Sequence, residues 1–316
     1  MTEKKIIAVM GATGAQGGAV ARAILNDTNS EFTVRAVTRN INSEKARALA
    51  ELGAELVSAD LDDKESLVKA FTGLYGAYCV TFFWAHFSPE KEKEGARNMA
   101  EALKKTGVKH AIWSTLEDTR KFIPLSDNRM PTLLGNYKVP HFDAKEESNE
   151  YFIKNGIPTT FLYTAYYWDN MIYFGTGPKK GPDGKLYLTM PMGDKRLPGI
   201  ASEDIGKCAY GIFKKGPELI GKKIYIAGES LTGKQMAASL SKALGKEVLY
   251  NAAEPDVYRS FGFPGADEMG NMFQFKRDFE EYYAGIRDLA YARKLNPELQ
   301  TFDQWLARNA AKISTE

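Results

Sequence analysis

The sequence predicts an α/β protein: a doubly wound parallel sheet with helices on both faces, followed by a smaller, mixed C-terminal lobe. Three observations carry this. Strand and helix patterns alternate through the first half with little chain between them, which argues a layered parallel sheet. A glycine-rich turn joins the first strand to the first helix. The 316 residues amount to about two ordinary domain lengths, or one large domain with an elaboration.

Ile6 to Met10 is a continuous apolar run ending at glycine and suits a strand buried on both faces. Gly18 to Leu25 follows as a helix with small residues on one side. Phe32 to Thr38 is the second strand, Glu44 to Leu52 the second helix and Ala54 to Ser58 the third strand. Asp62 is expected to cap the third helix, with Glu65 completing a capping box. Ala77 to Thr81 is the fourth strand. Ser88-Pro89 opens a long helix through Lys105, with serine as cap and proline in the first turn, and Val108 to Ser114 is the fifth strand. Glu117 to Pro140 reads as a long loop or lid, and is the natural mobile element. A helix from His141 to Lys154 and a strand from Thr159 to Leu162 resume the pattern. The sheet domain is therefore expected over 1–162 and the smaller substrate or partner lobe over 163–316. Lys222 to Ala227 is the exception, a late strand returning to the main sheet. Thr232 with Gln235 and Thr301 with Gln304 form two further capping boxes.

Composition narrows the function classes. Hydrophobic residues at 44% and charged residues at 26% are those of a globular chain. Forty-two Lys and Arg against 40 Asp and Glu give +2, with no basic footprint for nucleic acid. Cys79 and Cys208 cannot make a disulfide framework, and with three histidines no zinc-ligand spacing exists, so no metal is expected. The N-terminus has no cleavage-site pattern, and the longest uncharged window, Ala70 to Pro89, is broken by glycines and a proline. A soluble cytoplasmic protein is the expectation, nuclear as well if it acts as a regulator.

The segment Gly11-Ala12-Thr13-Gly14-Ala15-Gln16-Gly17-Gly18 carries the first chemistry. Glycines three residues apart allow a tight turn, close approach to a pyrophosphate, and close helix–strand packing, and the helix N-terminus offers free N–H groups. This is the Rossmann pattern in its required strand–turn–helix context, with Gly11, Thr13, Gly14, Ala15, Gln16 and Gly17 as cofactor-binding residues. The second strand ends in Val37-Thr38-Arg39-Asn40, where an NAD site would place an acid for the ribose hydroxyls. Arg39 suits a 2′-phosphate and can stack on adenine, with Thr38 adding a hydroxyl and Lys45 assisting. NADP(H) is thus expected over NAD(H). In Asp60-Leu61-Asp62, Asp60 can reach the adenine edge; the alternative is helix capping.

A hydride-transfer centre needs a hydroxyl acid with a lysine four residues on, so that both share a helix face. Here the helix reads His141-Phe142-Asp143-Ala144-Lys145, with histidine at the acid position. Imidazole can give a proton near neutral pH, although a cationic lysine one turn away lowers its pKa. Ser114 is the supporting hydroxyl. Lys145, His141 and Ser114 are the catalytic candidates; the alternative is a helix face that pairs with Glu146 or brackets ribose without chemistry. Tyr137 is a weaker substitute acid. His86 and His110 read as a loop and a strand-edge residue without partners. Seven aromatics between Phe161 and Phe174 are expected at the lobe junction, with Phe82-Phe83-Trp84 on the cofactor side.

These segments, with Asp60-Leu61-Asp62-Asp63 and the closing Leu295-Asn296-Pro297 to Trp305-Leu306, resemble the NmrA-like family of atypical short-chain dehydrogenases. Gly262-Phe263-Pro264-Gly265-Ala266 resembles the human NADPH-sensing branch of that family in particular. The resemblance implies an NADP-binding Rossmann lobe and a smaller C-terminal lobe. It places Gly11, Thr13, Gly14, Gln16 and Gly17 on the pyrophosphate, Arg39 on the 2′-phosphate and Lys145 near the nicotinamide ribose. It implies a redox sensor responding to NADPH/NADP balance through a regulatory protein partner. The alternative is an NADPH-dependent reductase of a small carbonyl, quinone or aromatic compound. A homodimer is open, and neither nucleic acid nor membrane is an expected partner.

Overall fold

The computed structural model describes residues 3–315. Eleven elements alternate first: β1 (Lys5–Met10), α1 (Ala15–Leu25), β2 (Phe32–Thr38), α2 (Glu44–Glu51), β3 (Glu55–Ser58), α3 (Lys64–Phe71), β4 (Gly76–Cys79), α4 (Pro89–Thr106), β5 (His110–Thr115), α5 (Pro140–Lys154) and β6 (Thr159–Tyr163). The chain continues through β7 (Tyr166–Tyr167), α6 (Asn170–Tyr173), β8 (Lys179–Lys180), β9 (Leu186–Thr189), β10 (Arg196–Ile200), α7 (Ser202–Lys215) and β11 (Lys223–Tyr225). It closes with β12 (Glu229–Thr232), α8 (Gly233–Leu244), β13 (Val248–Asn251), α9 (Pro255–Arg259), α10 (Ala266–Asp278), α11 (Glu280–Gly285), α12 (Leu289–Leu295) and α13 (Phe302–Asn309).

Seven parallel strands form the main sheet in the order β3-β2-β1-β4-β5-β6-β11. The late strand thus joins this sheet beside β6. Strand order reverses between β1 and β4, which opens a crevice at the C-terminal ends of the strands. Two three-stranded sheets, β12-β10-β7 and β13-β9-β8, build the rest with helices α8 to α10.

Burial explains the layering. Ile7 to Met10 are all buried, as a central parallel strand requires. On one face α1 packs against α7, where a Cβ at Gly206 would lie 2.3 Å from the carbonyl carbon of Ala19, so only glycine permits the approach. The other face is filled by Phe71, Met99, Leu103, Trp113 and Phe152. A separate core holds Trp168, Met190, Met192, Phe273, Phe302 and Trp305. The 161–174 aromatics divide accordingly. Trp168 packs 5.3 Å from Phe302 and Tyr163 stacks 4.4 Å from Tyr225, while Tyr173 and Phe174 are exposed.

Three local expectations need correction. The cap of α3 is Asp63, which accepts from the N–H groups of Glu65 and Ser66; the Asp62 N–H is drawn into a turn by Asp60 Oδ1 at 3.1 Å, so the helix starts one residue later. Strand β4 stops at Cys79 because Thr81 leaves the sheet and donates to Glu92 of α4. The 117–140 segment is not a free lid. The Asp143 carboxylate accepts from Thr119 N and Oγ1, Lys138 N and Val139 N at 2.7 to 3.1 Å. Lys138 Nζ is bound to the Asp127 and Met130 carbonyls, and Asn271 and Gln274 of α10 hold Pro131, Lys138 and Arg129. These hydrogen bonds tie the segment to α5 and α10.

Candidate functional site

The glycine turn sits at the switch point of the sheet. Gly11 adopts φ +58°, a left-handed conformation open to glycine, and the Gly14 N–H closes the turn onto the Gly11 carbonyl at 2.8 Å. A Cβ at Gly17 would fall 2.4 Å from the Gly11 oxygen and 2.5 Å from the Met10 oxygen. Helix α1 has neither a capping side chain nor an acid in its first turn, whereas α2, α3 and α4 are capped by Ser43, Asp63 and Ser88. Its free N–H groups are therefore available to an anion from outside the chain. Gly17→Ala is expected to cost at least 1–3 kcal/mol, roughly an overpacked-core substitution, with loss of nucleotide binding; urea unfolding and calorimetric titration check it.

Around the turn the predicted residues fall into place unevenly. Thr13 and Thr38 hydroxyls lie 3.4 Å apart at the ends of the loop and β2. Arg39 and Lys45 are exposed, and neither side chain has a hydrogen-bond or ionic partner among the described residues. Gln16 Oε1 accepts from Tyr78 Oη and from Ser114 Oγ, both at 2.7 Å. That pins the loop to the ends of β4 and β5.

Helix α5 presents Lys145 and His141, and each is held by a buried carboxylate. Lys145 Nζ lies 2.6 Å from Glu92 Oε1 and donates to Thr81 Oγ1 at 2.7 Å, with its charge 5.2 Å over the Trp113 ring. Glu92 is wholly buried. Burial opposes its charge, but the Lys145 charge, the facing His86 and hydrogen bonds from Lys145 and Thr81 hold the carboxyl at about 2. One turn earlier, Glu268 Oε1 of α10 accepts both the backbone N–H and Nδ1–H of His141, at 2.6 Å each. The imidazole lies 4.9 Å from the Trp84 ring and 5.9 Å from Phe83. With Nδ1–H on the carboxylate, Nε2 is the nitrogen left for proton exchange, and it has no partner among the described residues.

A family model described as the NmrA-like family matches residues 3–306. The chain belongs to the NmrA-like family. The NmrA-like family domain-containing oxidoreductase FrzB of Cladobotryum sp is 29% identical over 289 residues, covering 85% of this chain and 83% of its own. An NmrA-like family domain-containing protein of Dictyostelium discoideum is 29% identical over 321 residues, covering 98% and 99%. The negative transcriptional regulator NmrA, solved in complex with NADP, superposes with a TM-score of 0.77 at 23% identity, covering 97% of this chain and 95% of that one. Its complex with NAD gives a TM-score of 0.79 at 24% identity and the same coverage. These superpositions show the shared fold.

Within this NmrA-like chain, the structure joins Lys145 and His141 on α5 but sends Ser114 elsewhere. Ser114 donates to Gln16, on the α1 side of β5, while its neighbours Trp113 and Thr115 face α5, as strand alternation dictates. Neither His141 nor Lys145 pairs with Glu146, which instead binds Tyr163, Lys121 and Lys223. Tyr137 is buried and its hydroxyl accepts from Lys93 at 3.0 Å. Asp60 is a turn former, as above. His110 is no edge residue: burial pushes it down to about 4, and it contacts Thr160 Oγ1 at 2.8 Å. His86 has a partner after all, Nδ1 accepting from Ser88 N and Nε2 facing Glu92 Oε2 at 3.6 Å. Sequence reasoning missed the acids Glu92 and Glu268, which hold Lys145 and His141. For Glu92 a signal existed: it occupies the buried stripe of α4 with Gly95, Ala96, Met99, Ala100 and Leu103. Helix α10 is buried at Glu268 and continuously from Gly270 to Lys276, so no periodicity marked Glu268. Among the described residues no cluster of His, Cys, Asp and Glu could hold a metal, and no helix is long and apolar enough to cross a membrane.

Proposed function

We propose that this chain binds NADP(H) on its glycine turn and acts as a sensor of the NADPH/NADP balance. The glycine cradle, uncapped α1 and unpartnered Arg39 fit the pyrophosphate and 2′-phosphate of such a nucleotide. When bound, NADPH supplies a hydride donor. Gly11, Thr13, Gly14, Ala15, Gln16 and Gly17 take the phosphates, Thr38 and Arg39 the adenosine end, and Lys145 the nicotinamide ribose. The observation that carries the sensor reading is the Glu268–His141 contact. It ties the helix at the nicotinamide end to α10 of the second lobe, so a nucleotide that favours one arrangement over the other shifts both.

The test is a parallel titration of nucleotide-free protein with NADPH, NADP⁺, NADH and NAD⁺, together with hydrogen exchange over 255–278. NADPH and NADP⁺ are expected to bind more tightly than the unphosphorylated pair and to change α10 protection unequally. Equal affinities with an indifferent α10 would remove the sensor reading. Arg39→Ala is expected to weaken NADPH by about 10- to 100-fold, roughly 1.4–2.8 kcal/mol, while leaving NADH within a factor of three.

A second reading, an NADPH-dependent reductase of a small carbonyl, quinone or aromatic compound, is favoured by the open Nε2 of His141. With a second proton taken up on Nε2, the carboxylate-held imidazolium can donate that proton to the substrate oxygen as hydride is transferred, and returns to the neutral Nδ1–H form. FrzB carries the name oxidoreductase. On this reading Lys145→Ala lowers substrate-dependent NADPH oxidation at saturating NADPH at least about 100-fold, well beyond the loss of NADPH affinity from its ribose contact. Unchanged turnover would take Lys145 out of the mechanism.

A further inference from the structure

Four side chains outside the nucleotide site form a continuous buried polar cluster just past the C-terminal ends of β5 and β6. Glu117 Oε1, two residues beyond β5, pairs with Arg287 Nη2 at 2.7 Å. The same Nη2 donates to the carbonyl of Thr164, the first residue after β6, at 2.7 Å. The Arg287 guanidinium lies 3.7 Å from the Tyr283 ring centroid, and Tyr283 lies 5.4 Å from Lys276 Nζ. Exposures are 3% for Glu117 and Arg287, 2% for Lys276 and 0% for Tyr283, so water is largely excluded.

Three of the four leave a buried polar atom without a hydrogen-bond partner among the described residues: Glu117 Oε2, Tyr283 Oη and Arg287 Nε. Beside them, Lys276 Nζ lies 5.4 to 5.8 Å from the rings of Phe142, Tyr166, Phe273 and Tyr283. Unpaired buried polar groups are rare in native proteins because each forfeits its hydration. Three such atoms on touching side chains, two able to donate and one a pure acceptor, with the Lys276 ammonium beside them as a further donor, describe the complement of a ligand. The two cations outnumber the single carboxylate, so that ligand is an anion. It must also donate one hydrogen bond, to Glu117 Oε2. The surrounding aromatic rings keep it small.

We propose that Lys276, Arg287, Tyr283 and Glu117 form a binding site for a short-chain hydroxycarboxylate, its carboxylate on the three donors and its hydroxyl on Glu117. Burial lowers the Lys276 ammonium, so the free site carries a weakly held proton that an entering carboxylate restores. Phe142 touches both Lys276 and, edge-on at 4.8 Å, His141, which puts the site against the end of the molecule read above as the nicotinamide end. The site itself stands without the nucleotide reading.

The test is calorimetric titration of the full chain, free of nucleotide, with glycolate and with acetate at pH 7. Glycolate is expected to bind saturably, one per chain, and about tenfold more tightly than acetate, which has no hydroxyl for Glu117. Lys276→Met should weaken glycolate at least about tenfold, and Glu117→Gln should close the gap between the two acids. Tyr283→Phe, which removes a single oxygen, gives a third variant with little demand on folding. No saturable heat up to about 10 mM, the result for a cluster filled by water alone, would overturn the proposal. So would equal affinity in Lys276→Met, or equal affinity for the two acids.

Discussion

Glu268→Ala is expected to lower the unfolding free energy by about 3–5 kcal/mol, the largest single-residue effect in the site. Glu268 is buried, and one of its oxygens satisfies two donors of His141, the backbone N–H and Nδ1–H, at 2.6 Å each. Deleting it leaves both unpaired beside Trp84, at roughly 1–3 kcal/mol for each orphaned donor. Urea unfolding followed by tryptophan fluorescence measures the loss. A double variant with His141→Ala should cost clearly less than the sum of the two single changes, because the pair shares one interaction. A loss below about 1 kcal/mol in Glu268→Ala would mean that the contact is solvated and contributes little to holding α10 on α5. Glu268→Gln keeps an acceptor for the backbone N–H and should retain most of the stability. Its effect should fall on nucleotide-dependent protection of α10, which separates a structural tie from a signalling one.

The second large effect concerns pH. Burial, reinforced by repulsion from Arg287 and only partly opposed by Glu117, pushes Lys276 down to about 7. In the unfolded chain the amine keeps a pKa of about 10.4. Between roughly pH 7 and 10.4 the unfolded chain therefore holds a proton that the folded one has released, and stability rises with pH. Below pH 7 both states are protonated and the full penalty of the buried ammonium is present. Lys276→Met is expected to abolish this rise and to stabilise the protein at pH 6 by about 1–4 kcal/mol, as replacing buried charge by an apolar side chain often does. Urea unfolding of both proteins at pH 6, 7.5 and 9 reads the difference, which should shrink as pH rises. A constant gap would show that Lys276 does not titrate in this range.

The candidate site was half legible. The glycine turn, Arg39 and Lys145 could be named because their chemistry is local: φ at Gly11, the cradle at Gly17, a cation at the end of a strand, a lysine one turn from the acid position. Ser114 shows the limit. Its place at the end of β5 was foreseeable, but the face it points to depends on strand register, and that face carries Gln16 rather than Lys145. The partners that define the charge state of the site come from afar. Glu92 reaches Lys145 from α4, and Glu268 reaches His141 from α10, 127 residues along the chain.

By itself the sequence determined the layered fold, the NmrA-like membership and the place of the nucleotide turn, because hydrophobic period, glycine spacing and capping act over a few residues. Even there, Asp60's side chain shifted one helix start from Asp62 to Asp63. Tertiary structure alone decided what neutralises Lys145, what orients His141, why the 117–140 segment is anchored, and which cations lie buried at Lys276 and Arg287. The physical reason is that a buried charge or donor is satisfied by whatever group the fold brings within 3 Å, and no sequence spacing encodes that distance.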